Sequence, residues 1–202
     1  MLLELYGLPG SGKSTLAKRL AEIDSSKFVV VNFSNKLSRY FYLLLYIINH
    51  PVNFYQWIMF LLQNKKLFIY KLHLLFLSLA KMQKASFIKN KQALVDEGLL
   101  QRVLTISDNL VDDKSLDKLL KYLVSPVHLI IMEGGVFHRF ITDEQKDNSP
   151  RLKLGQDYFV AWQNMLEKNN NIIKRYLADK KNLKVAIYNK ESIKAEDIVS
   201  GI

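Results

Sequence analysis

A chain of 202 residues can bury one hydrophobic core without stabilising disulfides or metals. Its 49% hydrophobic and 24% charged residues are ordinary for a globular protein. There is no cysteine, which excludes disulfides, thiolate metal sites and cysteine nucleophiles. The first residues show neither the basic start nor the cleavage site of a secretory signal, so we expect a cytoplasmic protein.

The net charge of +10 is concentrated in one internal part of the chain. From Ser25 to Val95 there is no acidic residue, but there are ten basic and fourteen aromatic residues. Elsewhere, nineteen basic residues balance nineteen acidic ones. A cationic and aromatic segment suggests an anionic partner, and a lysine-rich solvated face over a core is the alternative.

Apolar runs alternate with helical patterns along the chain. Five runs indicate buried strands, at Leu2–Tyr6, Phe28–Val31, Ala93–Val95, Val127–Met132 and Lys184–Tyr188. Helices outside the basic segment are predicted at Ser14–Ala21, Leu99–Leu110, Leu116–Leu123, Tyr158–Leu177 and Ala195–Val199. This alternation favours a single α/β domain over residues 1–202, with a parallel sheet covered by helices on both faces.

The connection from the second strand to the third is too long for one crossover, so residues 34–91 are expected to form a helical insert. Its predicted helices are Leu37–Ile48, Phe54–Leu62 with Asn53 as the amino-terminal cap, and Leu67–Met82. A break is expected at His50, because this residue precedes a proline. No run reaches the ~20 apolar residues that a membrane span needs, whereas contact with a membrane surface stays open.

Residues 7–15, GLPGSGKST, match the phosphate-binding pattern G-x-x-x-x-G-K-[ST] between a predicted strand and a predicted helix. Glycines let the backbone N–H groups point at phosphate oxygens, and the next helix presents its positive end. We expect these residues to bind a nucleoside triphosphate, taken to be ATP: Gly7, Leu8, Pro9, Gly10, Ser11, Gly12, Lys13, Ser14 and Thr15. A solvent-facing Lys13 would reach the β- and γ-phosphates, and the Ser14 hydroxyl would bind Mg²⁺.

Asp96 and Glu97 follow the third predicted strand. The loop of residues 7–15 resembles that of P-loop proteins, and the resemblance implies that this strand lies beside the first, with its carboxyl end open to the metal and the γ-phosphate. Asp96 would hold the metal through water or accept the proton of the acceptor, and Glu97 is the substitute in either role. An ordinary strand-end turn is the alternative.

A guanine-binding Asn-Lys-x-Asp motif and a transporter ATPase signature are both missing from the sequence, which favours a small kinase. The loop GLPGSGKSTLA, the five predicted strands and the helical insert resemble the nucleoside monophosphate kinase family, thymidylate kinases in particular. The resemblance implies a three-layer P-loop NTPase fold with five parallel strands in the order 2-3-1-4-5. It also implies that the insert binds the phosphate acceptor, and that a lid carrying arginines closes over ATP and Mg²⁺.

The resemblance assigns further roles. The lid is expected at residues 139–155, where Arg139 and Arg151 would neutralise the transferring phosphoryl group. The candidate contacts to the acceptor are Arg39, Gln101 and Arg102. For Gln101 and Arg102, a solvated helix face is the alternative.

An ATP-dependent small-molecule kinase is the favoured function. Its acceptor could be a nucleotide, a sugar, a glycan precursor or a lipid-linked molecule, because the insert has eight lysines and one arginine where strict nucleotide kinases use arginines. The alternatives are a regulatory protein that hydrolyses ATP slowly and a polynucleotide end kinase. No DNA partner is expected, and a homodimer stays open. We also expect measurable binding to anionic membranes, lost at high salt and weakened by neutralising Lys65, Lys66 and Lys71 of the insert together.

Overall fold

The computed structural model of the chain describes residues 1–120, 127–133, 150–180 and 184–189. The elements follow in the order β1 (Leu2–Tyr6), α1 (Lys13–Ile23), β2 (Phe28–Val30), α2 (Lys36–Asn49), α3 (Pro51–Gln63), α4 (Phe68–Ser86), β3 (Gln92–Val95), α5 (Leu99–Ile106), α6 (Asp113–Leu120), β4 (Val127–Glu133), a 3₁₀ turn (Leu152–Leu154), α7 (Gln156–Ala178) and β5 (Lys184–Asn189). The strands pair in parallel in the order β2-β3-β1-β4-β5. The α/β class and the parallel sheet are confirmed.

The central strand β1 is buried on both faces, as its continuous apolar sequence predicts. Leu3 and Leu5 pack in one cluster with Leu16 of α1, on one face of the sheet. Leu2 and Tyr6 point to the opposite face and join a larger cluster that includes residues of α2 to α7. The sheet is therefore covered by helices on both sides, and its carboxyl edge is open at the end of β1.

The insert between β2 and β3 contains three helices. The side chain of Asn35 caps α2 by accepting a 2.7 Å hydrogen bond from the N–H of Ser38. The break predicted at His50 is confirmed. The predicted Asn53 cap is wrong, because α3 already begins at Pro51, a residue suited to the first helical turn. Asn53 is instead buried, where it accepts a hydrogen bond from the Tyr46 hydroxyl.

Outside the insert, two helices have an end that lies three or four residues from its predicted position. The helix expected to reach Leu110 ends at Ile106, because the N–H of Asp108 binds the side chain of Asn64 at 2.6 Å and leaves the helical path. The next helix begins early, at Asp113, because the side chain of Asp112 accepts the N–H of Ser115 at 2.6 Å.

The helix predicted at Ala195–Val199 lies outside the described residues. Within the described part of the chain, no helix combines the length and the apolar character that crossing a membrane requires.

Candidate phosphate-transfer site

The loop between β1 and α1 has backbone angles that only glycine adopts without strain. The φ angles of Gly7, Gly10 and Gly12 are 155°, 76° and 90°. A Cβ atom at Gly7 would lie 2.8 Å from the carbonyl oxygen of Met132, so the loop also passes close to β4. The loop leads directly into the amino end of α1 at Lys13. This is the curled loop before a helix that a phosphate cradle needs.

The side chain of Lys13 folds back onto the loop. The sequence had instead suggested that it faces solvent. Its Nζ donates hydrogen bonds of 2.9 Å to the carbonyl oxygens of Gly7 and Leu8, and the residue is only 7% exposed. Burial lowers the pKa of Lys13 to about 8, although the nearby carboxylates of Glu97 and Asp96 raise it. The ammonium group is therefore placed at the inner surface of the loop.

Asp96, at the end of β3, lies beside the loop. Its Oδ2 accepts a 2.8 Å hydrogen bond from the Ser14 hydroxyl, and its Oδ1 forms a 2.7 Å ion pair with Nζ of Lys81 on α4. Burial raises the pKa of Asp96, but the charge of Lys81 and the hydrogen bonds from Lys81 and Ser14 outweigh it and hold the pKa below its usual value. Asp96 is therefore a fixed, ionised carboxylate.

The oxygens of Ser14 and Asp96 fit a Mg²⁺ ion. The ion prefers hard oxygen ligands and commonly takes one or two carboxylates together with substrate phosphates. Among the described residues there is no group of three or more His, Cys, Asp or Glu that could hold a metal without such phosphates. Lys81 was not singled out in the sequence, because nothing local shows that a lysine of α4 meets Asp96 fifteen residues later.

Glu97 forms an ion pair with the guanidinium of Arg102. The Nε of Arg102 also donates a 2.6 Å hydrogen bond to the Ser78 hydroxyl, and Arg102 is 2% exposed. The solvated-face alternative for Arg102 is therefore wrong. The same holds for Gln101, which is buried and accepts the N–H of Gly7 at 3.3 Å. Both residues link α5 to the neighbouring site elements.

Glu4 is a buried carboxylate under the site that sequence reasoning missed. Its Oε1 accepts hydrogen bonds from the N–H groups of Leu100 and Gln101, at 2.8 and 3.3 Å, and Oε2 has no partner within the described part of the chain. Burial raises the pKa of Glu4 to about 7, although the N–H groups at the start of α5 and the charge of Arg102 lower it. A single acid inside the apolar run LLELY was the available signal.

A cleft of about 780 Å³ opens in front of the loop. The loop and α5 form one side, with Lys13, Ser14, Glu97, Gln101 and Arg102. The far wall is mostly aromatic and is formed by Tyr70, Leu74, Phe159, Trp162 and Arg151.

Arg151 is part of this aromatic wall. Its guanidinium carbon lies 4.0 Å from the centre of the Trp162 ring, and its Nη2 donates a 2.6 Å hydrogen bond to the carbonyl oxygen of Thr105. The Nε of Arg151 and the Nε1 of Trp162 have no hydrogen-bond partner among the described residues. Two buried donors therefore belong to residues that line the cleft.

The remaining candidate residues lie elsewhere. Arg39 lines a second cleft of about 440 Å³, together with Lys36 and Lys81. Arg139 lies outside the described residues, as does most of the expected lid at residues 139–155, of which the structure describes 150–155.

Comparisons with known proteins agree with this fold. No family model and no curated protein sequence matches the chain. Among solved structures, deoxyadenosine kinase from M. mycoides with the products dCMP and a flexible dCDP bound is 14% identical, with a TM-score of 0.50 and coverage of 100% of this chain and 97% of that one. The same enzyme with bound dATP gives 14% identity, a TM-score of 0.51 and coverage of 100% and 98%. The chain folds like a deoxyadenosine kinase. The more specific resemblance to thymidylate kinases stays a prediction.

Proposed function

We propose that this protein is a P-loop kinase that transfers the γ-phosphate of ATP to a small acceptor. The proposal rests on the 2.8 Å hydrogen bond between Ser14 and Asp96, beside a cleft of about 780 Å³ that Ser14 lines. The loop of residues 7–15 would take the donor phosphates. A second substrate would then occupy the cleft between the loop and the aromatic wall.

The residues of the chain account for the transfer step. The acceptor hydroxyl oxygen forms a bond to the γ-phosphorus, the bond to the oxygen bridging the β- and γ-phosphates breaks, and the hydroxyl proton passes to Asp96. Lys81 keeps Asp96 ionised and fixes its orientation. Lys13 and Arg151 supply positive charge to the cleft. Mg²⁺, held by Ser14 and by Asp96 through water, would supply further neutralisation of phosphate charge.

We propose a nucleoside as the acceptor. Aromatic side chains form a wall against which a planar base can pack, and the guanidinium of Arg151 stacks on the Trp162 ring within it. The likeness to deoxyadenosine kinase lies in the fold, and it supports a nucleoside as the acceptor. A sugar or lipid-linked acceptor has no planar base to stack on this wall.

A substrate screen tests the function. Purified protein with ATP and Mg²⁺ is offered nucleosides, nucleoside monophosphates, sugars and lipid-linked glycans, and the products are examined by mass spectrometry. We expect a nucleoside to gain one phosphate as ATP is consumed. ATP hydrolysis without any phosphorylated product would contradict the kinase and support a regulatory ATPase, whereas phosphorylation of a sugar alone would reject only the acceptor.

Substitution of Asp96 by Asn tests the proposed base. We expect phosphoryl transfer to fall about 10²-fold or more while ATP affinity changes little, because the carboxylate acts on the acceptor proton. Glu97→Gln serves as the matched control and is expected to have a smaller effect, since Glu97 is already paired with Arg102. If Glu97→Gln has the larger effect on single-turnover rates, the two roles are exchanged.

A further inference from the structure

Helix α2 carries a stripe of exposed apolar side chains that the fold does not use. Leu37, Phe41, Leu44 and Ile48 are each more than half exposed. They recur at intervals of three or four residues, which places them along one side of the helix. The opposite side contains the buried residues of α2 and packs against α4.

Helix α3, which begins directly after the break at His50, carries a second stripe of exposed apolar side chains. Val52, Tyr55, Met59 and Leu62 are each at least 40% exposed and again recur at intervals of three or four residues. Large apolar side chains grouped in this way are uncommon on monomeric proteins and mark interaction sites. We call the two stripes together the α2–α3 face.

The ends of the α2–α3 face are positively charged. Lys36 and Arg39 lie in the first turn of α2, and Lys65 follows α3. Lys66 instead lies over the ring of Tyr158 in α7. Neither helix contains an acidic residue, and none occurs between Ser25 and Val95. The face therefore combines apolar side chains with cations that have no carboxylate within the same segment.

Lys71, which the sequence suggested as part of this charge, does not contribute. It is fully buried and forms a 2.6 Å ion pair with Asp108. Lys81 is likewise held by Asp96. The neighbouring helix α6 contacts the buried side of α3, where Asn53 donates a hydrogen bond to the carbonyl oxygen of Leu119. Its acid Asp117 is paired with Lys180.

We propose that the α2–α3 face binds the surface of an anionic membrane. Leucine and aromatic side chains would enter the headgroup region while lysine and arginine side chains contact the anionic lipid headgroups. A second copy of the chain fits less well, because neither helix offers a carboxylate to pair with the cations of its partner. This inference is independent of the proposed kinase activity.

Sedimentation with vesicles tests the proposal. The full chain, without nucleotide, is mixed at low salt with vesicles of phosphatidylserine and phosphatidylcholine, or of phosphatidylcholine alone. We expect sedimentation only with phosphatidylserine, and its loss at high salt. Leu44→Glu and the double variant Lys36→Gln/Lys65→Gln should each weaken binding at least tenfold.

Matched variants distinguish this face from general charge or hydrophobicity. Val160→Glu changes an exposed apolar residue of α7, and Lys114→Gln/Lys153→Gln removes two exposed lysines from other parts of the surface. Both controls should bind vesicles like the wild type, and circular dichroism checks that all variants are folded. Equal loss in the controls, absence of phosphatidylserine-dependent binding, or a wild-type dimer that Leu44→Glu dissociates would overturn the proposal.

Discussion

Lys13 is held within the loop that it is expected to serve. Its two hydrogen bonds to the carbonyl oxygens of Gly7 and Leu8 hold the ammonium group on the inner side of the loop, next to the space that phosphate oxygens would occupy. A bound triphosphate would offer this group stronger, charged acceptors than the two carbonyls. Lys13 therefore stabilises the loop when no ligand is bound, and it would bind phosphate oxygens when a triphosphate is present.

Lys13→Ala should lower ATP affinity at least tenfold. The substitution also removes the loop hydrogen bonds, which we expect to cost about 1 kcal/mol of folding free energy, so the variant should remain folded. Isothermal titration with ATP–Mg²⁺ measures the affinity, and Lys18→Ala, on the exposed side of α1, is the control. Wild-type affinity in a folded Lys13→Ala protein would contradict the assignment of the phosphate loop.

Glu4 gives a prediction about pH. Its pKa in the folded chain, about 7, lies above the ordinary value of 4.5, so between these values the folded state binds more protons than the unfolded state. The free energy of unfolding therefore falls as pH rises through this window, by up to about 1.4 kcal/mol per pKa unit of the shift. Glu4→Gln keeps an accepting oxygen and removes this dependence.

We expect the Glu4→Gln variant to gain stability relative to the wild type between about pH 5 and about pH 8. Denaturant titrations across this range measure the difference. Glu22→Gln, an exposed substitution on α1, should change stability equally at all these pH values. A constant difference for Glu4→Gln would show that Glu4 is ionised throughout, against the geometry of its burial.

At the scale of elements, the start of α5 is fitted closely against β1. A Cβ atom at Gly98 would lie 2.3 Å from the Cδ of Glu4, so the helix can approach the strand only with glycine at this position. The approach brings Gln101 to the N–H of Gly7. The position of α5 thereby supports the phosphate loop.

Gly98→Ala should destabilise the protein by about 1–3 kcal/mol, the usual range for overpacking of a core. The double variant Gly98→Ala/Glu4→Ala should lose less than the sum of the single variants, because a shorter side chain at position 4 removes the clash. Denaturant unfolding of the four proteins measures this coupling. Strict additivity would mean that the helix moves away and that the contact does not fix its position.

For the whole molecule, the site connects β1, α1, β3, α4, α5 and α7, so a bound ligand should stabilise the entire fold. At a nucleotide concentration of a hundred times Kd, the expected gain is about 2.7 kcal/mol. For a chain of this length the gain corresponds to a rise in Tm of roughly 5 to 10 °C. Differential scanning calorimetry with ATP–Mg²⁺ measures it. Lys13→Ala should show a much smaller rise, and an equal rise would place nucleotide binding outside the loop.

The layout of the fold was largely predictable because it depends on local pattern. Continuous apolar runs indicated the strands of a parallel sheet, and the long basic segment between β2 and β3 indicated the helical insert. Helix ends were less predictable. The end of α5 depends on Asn64, which lies forty-four residues from its partner Asp108.

The phosphate loop was determined by the sequence alone, because nine consecutive residues carry its glycines, lysine and hydroxyl groups. Tertiary structure decided what surrounds it. The partners of Asp96 are Ser14, eighty-two residues away, and Lys81, and the buried pair of Lys71 and Asp108 joins α4 to the chain after α5. Burial and long-range pairing depend on how the helices pack on the sheet. The sequence shows Lys71 and Lys81 only as positive charges, whereas the tertiary structure places each of them in an ion pair.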